Sequence, residues 1–169
     1  PVRLIGPISG DLKMADINKI LVASDGSEHA IHAASFAGEL ARTSQASVEI
    51  VTVHSTEILN VQLLGVGAWP GGVPASSVSV DEIRENVEAA AKTEVFEAAI
   101  KALGDLPSEP ECYQQWGHPG EIICERANDI KADLIVIGSR GRSIFTKLML
   151  GSVTIQVLNH ADCPVTVVR

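Results

Sequence analysis

The chain has 169 residues, enough for one domain that buries a substantial core. Hydrophobic residues make up 46% and aromatics only 4%, so the core is aliphatic and suited to close helix-on-sheet packing. A net charge of -8 argues against a general nucleic-acid surface, no apolar run approaches a membrane span, and residues 1–13 do not read as a secretory signal. Cys112, Cys124 and Cys163, with no Cys-x-x-Cys, fit reduced and mostly buried thiols in the cytoplasm better than a disulfide framework or a zinc knuckle.

Residues 1–17 read as an extension, native or a remnant of expression, with Met14-Ala15-Asp16 offering an internal start; 18–169 read as a single domain. Ile20–Ser24 is a short apolar run ending at the Asp25-Gly26 turn, a strand. Ser27 caps a helix whose apolar positions, Ala30, Ala33, Ala34, Ala37, Leu40 and Ala41, recur at helical spacing. Val48–Val53 is a second strand. Residues 54–79 then form a long stretch rich in Gly, Pro and Ser, of a length often tied to function. Ser79 and Glu82 have capping-box spacing ahead of a helix over Asp81–Leu103. Its predicted inner face is Ile83, Val87, Ala91, Val95, Ala98 and Ala102, and Gly104 stops it. Glu109–Trp116 is a third strand, polar enough for an edge. His118 precedes Pro119, which sits at a first helical position and is followed by Ile122, Ile123, Arg126, Ala127 and Ile130. Leu134–Ile137 is the most apolar strand and so the central one. A helix from Gly151 to His160 leads to a last strand, Val165–Val168. Alternating strands and helices predict an α/β fold, an open parallel sheet with helices on both faces.

The chemistry concentrates where the central strand ends. Gly138-Ser139-Arg140-Gly141 follows it, and Gly151-Ser152 opens the next helix. Glycines let backbone amides approach phosphate oxygens, and a helix N-terminus adds free amides and the positive end of its dipole. Val153 and Thr154 belong to the same uncapped turn. The alternative is a glycine loop that only makes a tight turn. Asp25 ends the first strand beside this loop; it can accept ribose hydroxyls or help hold Mg²⁺, or simply shape its own turn. His29 and His32 lie three apart on a helix, but no further ligand completes a metal set there, and metal ligands stay unassigned. No nucleophile elbow and no Gly-x4-Gly-Lys-Ser/Thr loop occurs, so no catalytic residue is assigned.

Gly-x2-Gly-x9-Gly-Ser-Val, here Gly138, Gly141, Gly151, Ser152 and Val153, resembles the nucleotide-binding signature of the universal stress protein family. Lys19–Glu28, Val51–His54 and Cys163–Val168 are similar to its first, second and last strands, so the resemblance spans about residues 18 to 169. The resemblance implies a five-stranded sheet in the order 3-2-1-4-5 and reversible binding of ATP or AMP with Mg²⁺. It puts adenine near Ala23 and Ser55, with Ile137 as the other wall and Asp25 in contact with the nucleotide. Arg142 and Ser143 hold positions that touch phosphates in the family, and Arg140 stands where relatives often carry His. The implied role is a stress-response regulator or sensor with at most slow hydrolysis. The rival is an adenylating or ATP-hydrolysing enzyme of the adenine-nucleotide alpha-hydrolase superfamily; Ser24-Asp25-Gly26-Ser27 falls short of the Ser-Gly-Gly-x-Asp-Ser loop such enzymes carry. Val165–Val168 ends the chain as an edge strand, a template for antiparallel pairing with a second copy. Many family members dimerise there, so the resemblance also implies a homodimer.

Overall fold

The computed structural model describes the backbone of residues 3–5, and residues 17–56, 79–141 and 150–169 in full. Arg142, Ser143 and most of the long Gly/Pro/Ser-rich stretch lie outside the described residues. In chain order the elements are β1 (Arg3–Ile5), β2 (Lys19–Ala23), α1 (Glu28–Ser44) and β3 (Ser47–His54). There follow α2 (Val80–Ala90), a π-helical segment (Ala91–Phe96), α3 (Glu97–Leu103) and β4 (Glu111–Trp116). Then come α4 (Pro119–Asp129), β5 (Leu134–Gly138), α5 (Ser152–His160) and β6 (Val165–Val168).

The sheet runs β1-β6-β5-β2-β3-β4. From β6 to β4 every pairing is parallel, which is the expected order of five strands. The sixth strand comes from the segment read as an extension: β1 pairs antiparallel with β6. Strand alternation divides the core into two layers. Ile20, Val22, Val48, Ile50, Leu134 and Val136 face α1 and α3, where Ala33, Ala34, Ala37 and Ala41 let the helix settle close to the sheet. Leu21, Ala23, Val51, Ile135, Ile137, Val165 and Val167 face α4 and α5, meeting Ile123, Ala127 and Val157.

The local start signals act as written. The Ser27 hydroxyl accepts from the Ala30 amide at 3.3 Å, and the Ser79 hydroxyl from the Glu82 amide at 3.0 Å. His118 occupies the N-cap of α4, but its side chain makes no capping bond; its carbonyl accepts from Ile122. The long helix departs from its predicted face. Beyond Ala91 the buried positions are Val95, Phe96, Ala99 and Leu103, and Ala98 and Ala102 are only partly covered. Steps of four residues overshoot a regular α-turn by about 40°. The wider π turns absorb that drift and hold Ala91, Val95, Ala99 and Leu103 on one line.

One charged group is sealed into the sheet. Glu49 is fully buried, and Arg126 of α4 grips its carboxylate through Nε at 2.6 Å and Nη2 at 3.2 Å. The guanidinium lies over the Tyr113 ring, 4.0 Å from its centroid, and Lys19 Nζ stands 3.9 Å from Glu49. The carboxylate hydrogen bond holds the Arg126 guanidinium firmly protonated, above its ordinary range.

Candidate functional site

The cleft opens beyond the carboxyl ends of β2 and β5, the two neighbours where the connections diverge to opposite sides of the sheet. It encloses about 230 Å³, near the lower end of small-molecule sites, which begin at roughly 300 Å³. Its apolar side is built by alternation and helical spacing. Ala23, Val51, Val53 and Ile137 project from one face of the sheet, and Pro119 and Ile123 meet them from α4, one turn apart.

The polar side is made by the two glycine clusters. Between Ser139 and Gly151 the chain leaves the sheet and returns, pinned by the Gly151 amide donating to the Ser139 carbonyl at 2.8 Å. The Ser139 amide donates to the Val168 carbonyl, tying this crossing to β6. The Thr154 hydroxyl donates to the Gly138 carbonyl at 2.9 Å, which fixes the first turn of α5 against the end of β5. Gly151 is the N-cap of α5, and no side chain caps the helix. The amides that open the helix, from Ser152 to Thr154, precede the first intrahelical bond, made by Ile155 to the Gly151 carbonyl. Ser152, Val153 and Thr154 all line the cleft, so these donors and the helix dipole face it.

The three glycines differ in what demands them. A Cβ on Gly138 would lie 2.8 Å from the His29 backbone, so glycine there serves the packing of β5 against α1. A Cβ on Gly141 would collide with Asp25 Oδ2. At Gly151 a Cβ would come no nearer than 3.4 Å to Arg140 Cα, and φ −65° with ψ 151° suits any residue. Among the described residues, nothing requires glycine at position 151.

Asp25 shapes its own turn and also borders the cleft. Its Oδ1 accepts from the Ser27 amide at 3.0 Å, shaping the turn through Gly26 at φ 78°. Its Oδ2 side faces Gly141 and the cleft. The turn is clasped to the glycine segment by Ser27, whose hydroxyl donates to the Arg140 carbonyl at 3.4 Å. The end of β2 is held in turn by β3: the Thr52 hydroxyl donates to the Ser24 carbonyl and the Ser24 amide to the Val51 carbonyl, each at 3.0 Å.

Of the residues singled out in the sequence, Ala23, Asp25, Ile137, Gly138, Arg140, Gly141, Gly151, Ser152, Val153 and Thr154 converge on this cleft. Ser55, half-buried after β3, is not among the lining side chains; Val51 and Val53 form that wall. Arg142 and Ser143 lie outside the described residues. Sequence reasoning missed Ser24, Ala30, Val51, Val53, Pro119 and Ile123. The alternation through Val51 and Val53 was a usable signal for two of them.

The cysteines stand apart from this chemistry. Of the three thiols expected to be mostly buried, Cys124 is buried, Cys163 partly so and Cys112 exposed. Burial raises Cys124 and Cys163 above the ordinary range, Cys163 to about 11, and partial desolvation with the Glu49 and Glu109 charges raises Cys112. None of them lines the cleft.

Fold and cleft together define a doubly wound α/β protein with an open cleft at the switch point of its sheet. A family model described as the universal stress protein family matches residues 16–169. The universal stress protein YxiE of Bacillus subtilis is 33% identical over 152 residues, covering 90% of this chain and 99% of YxiE. The solved structure of the universal stress protein UspA from Lactobacillus plantarum superposes with a TM-score of 0.70 at 25% identity, over 90% of this chain and 98% of that one. A crystal structure of a universal stress protein in complex with cAMP gives 0.59 at 25% identity, over 90% and 97%. The chain belongs to the universal stress protein family.

Proposed function

We propose that residues 18–169 act as a single domain that binds an adenine nucleotide, ATP or AMP, in the cleft between β2 and β5. One observation carries the reading: the uncapped N-terminus of α5 and the apolar slot of Ala23, Val51, Val53, Ile123 and Ile137 open onto the same cavity. Phosphate suits the first, as an anion facing free amides and a helix dipole. A flat purine suits the second. Ala23 and Ile137 flank the base, Gly138, Gly141 and Gly151 keep backbone close to the phosphates, and Arg140 adds positive charge. Arg142 and Ser143 extend the phosphate contacts, and Ser55, just past the end of β3, adds backbone on the adenine side. The family member solved with cAMP supports adenine nucleotide as the ligand class.

Mg²⁺ fits the donor set with a triphosphate. It asks for one or two carboxylates plus phosphate oxygens, and Asp25 is the carboxylate on the cleft's described lining. When bound, the ion neutralises phosphate charge; Asp25 holds its side of the site while Oδ1 stays on the Ser27 amide.

Turnover in this reading is slow or absent. Asp25 and Arg140 are the ionisable side chains on the described lining, and the sequence carries no nucleophile elbow to pair with them. The protein then acts in the cytoplasm as a nucleotide-dependent regulator or sensor of the stress response, and its homodimer joins along β6 when that edge, which the sequence reading took as free and β1 covers here, is open. Calorimetric titration with ATP, AMP and GTP tests the ligand. Adenine nucleotide should bind more tightly than GTP, and equal or absent binding would remove the assignment.

A further inference from the structure

β1 occupies the outer edge of β6. Arg3 lies opposite Val167, Leu4 opposite Thr166, and Ile5 opposite Val165. On the other side of β6, Ile135 donates to the Pro164 carbonyl and Ser139 to the Val168 carbonyl. Backbone groups alternate along a strand, so Pro164, Thr166 and Val168 turn inward to β5. Val165 and Val167 turn their amides and carbonyls outward, toward Ile5 and Arg3. β1 is three residues long and is the one antiparallel strand among the described residues.

The same outward groups would carry pairing between two copies of β6. Val165 and Val167 cannot bond to β1 and to a second β6 at once. We propose that β1 is a built-in competitor for the dimer edge: seated, it closes β6 and holds the chain monomeric; displaced, it opens β6 to a second copy. This rests on the homodimer reading above. The competition is close for physical reasons. β1 is tethered to the sheet through residues 6–18, and a short tether gives an effective concentration on the order of millimolar. It nevertheless offers only a three-residue ladder, whereas β6 has four residues to offer a second copy. An edge strand with exposed groups is a general template for self-association, and a short covering strand blunts it.

The test uses the full chain. Arg3→Pro/Ile5→Pro removes the two β1 amides that face β6 and lies outside the described core. Sedimentation across a micromolar range should show the apparent dimer Kd falling at least tenfold in this variant. Adding Val167→Pro, which removes an outward amide of β6, should return it to a monomer; Thr166→Pro is unsuitable because that amide faces β5. Hydrogen exchange at the Val165 and Val167 amides should be slow in the wild type and fast in dilute Arg3→Pro/Ile5→Pro. Unchanged association of wild type and variant, both abolished by Val167→Pro, would overturn the competition and leave the dimer reading standing. Monomers throughout would overturn both. Weaker association in Arg3→Pro/Ile5→Pro would mean that β1 joins the copies instead, which also overturns the proposal.

Discussion

Gly151→Val separates ligand binding from folding. The backbone at position 151 has φ −65° and ψ 151°, an extended conformation open to valine, and an added Cβ stays 3.4 Å from the nearest described neighbour. Losing glycine as N-cap costs up to about 1 kcal/mol, and reduced freedom of the unfolded chain offsets roughly half of that or more. The melting temperature should thus move by no more than a few degrees. The branched side chain nevertheless stands at the mouth of the amides from Ser152 to Thr154. A charge-assisted hydrogen bond contributes about 1.5–3 kcal/mol, so holding a phosphate off one such amide weakens binding by roughly 10- to 100-fold. Calorimetry with ATP, paired with a thermal melt, gives both numbers. Equal affinity within a factor of about two, in a variant that melts normally, would show that the phosphates are not held at this helix end.

Other perturbations test different parts of the account. Arg126→Leu leaves the fully buried Glu49 carboxylate with Lys19 at 3.9 Å as its remaining cation. We expect a loss of roughly 2–4 kcal/mol in urea unfolding, with nucleotide affinity unchanged, because the pair lies below the cleft. A loss under about 0.5 kcal/mol would mean the pair is solvated. Cys163, raised to about 11, should be about a hundredfold slower to alkylate at pH 8 in the native protein than in denaturant, where its thiol returns to about 9.0. Because burial favours the neutral thiol, that protection and its contribution to stability are present below about pH 9 and are lost as pH rises toward 11. Comparable native and denatured labelling would contradict the burial argument. Phosphate or adenylate release with Mg²⁺ should fall far below the roughly 10 per second of a median enzyme. A rate near that value would favour the enzyme reading.

Much of the fold was legible because its signals are local. The runs at Ile20 and Leu134, the hydroxyl caps at Ser27 and Ser79, and Pro119 at a helix start each act through near neighbours. The phase of the long helix was not legible. Its stripe of Ala91, Val95, Ala99 and Leu103 steps by four, and only packing against α1 and the sheet makes the π turns worthwhile. β1 escaped notice for a similar reason. Val2-Arg3-Leu4-Ile5 is too short to declare a strand alone, and its partner lies at the far end of the sequence. At the cleft, the glycine segment marked the polar side. Pro119 and Ile123 reach the apolar side from across the sheet, a contact set by topology rather than by any motif.

The central claim is that adenine nucleotide binds between the first turn of α5 and the ends of β2 and β5. The most direct test follows backbone amide resonances of isotopically labelled protein through a titration with ATP and Mg²⁺. The largest saturable shifts should fall on Gly151 to Thr154, Gly141 and Asp25, with smaller ones at Val51, Val53 and Ile137 against the base. Absence of saturable shifts up to millimolar ATP, or shifts confined to a surface away from these residues, would contradict the account.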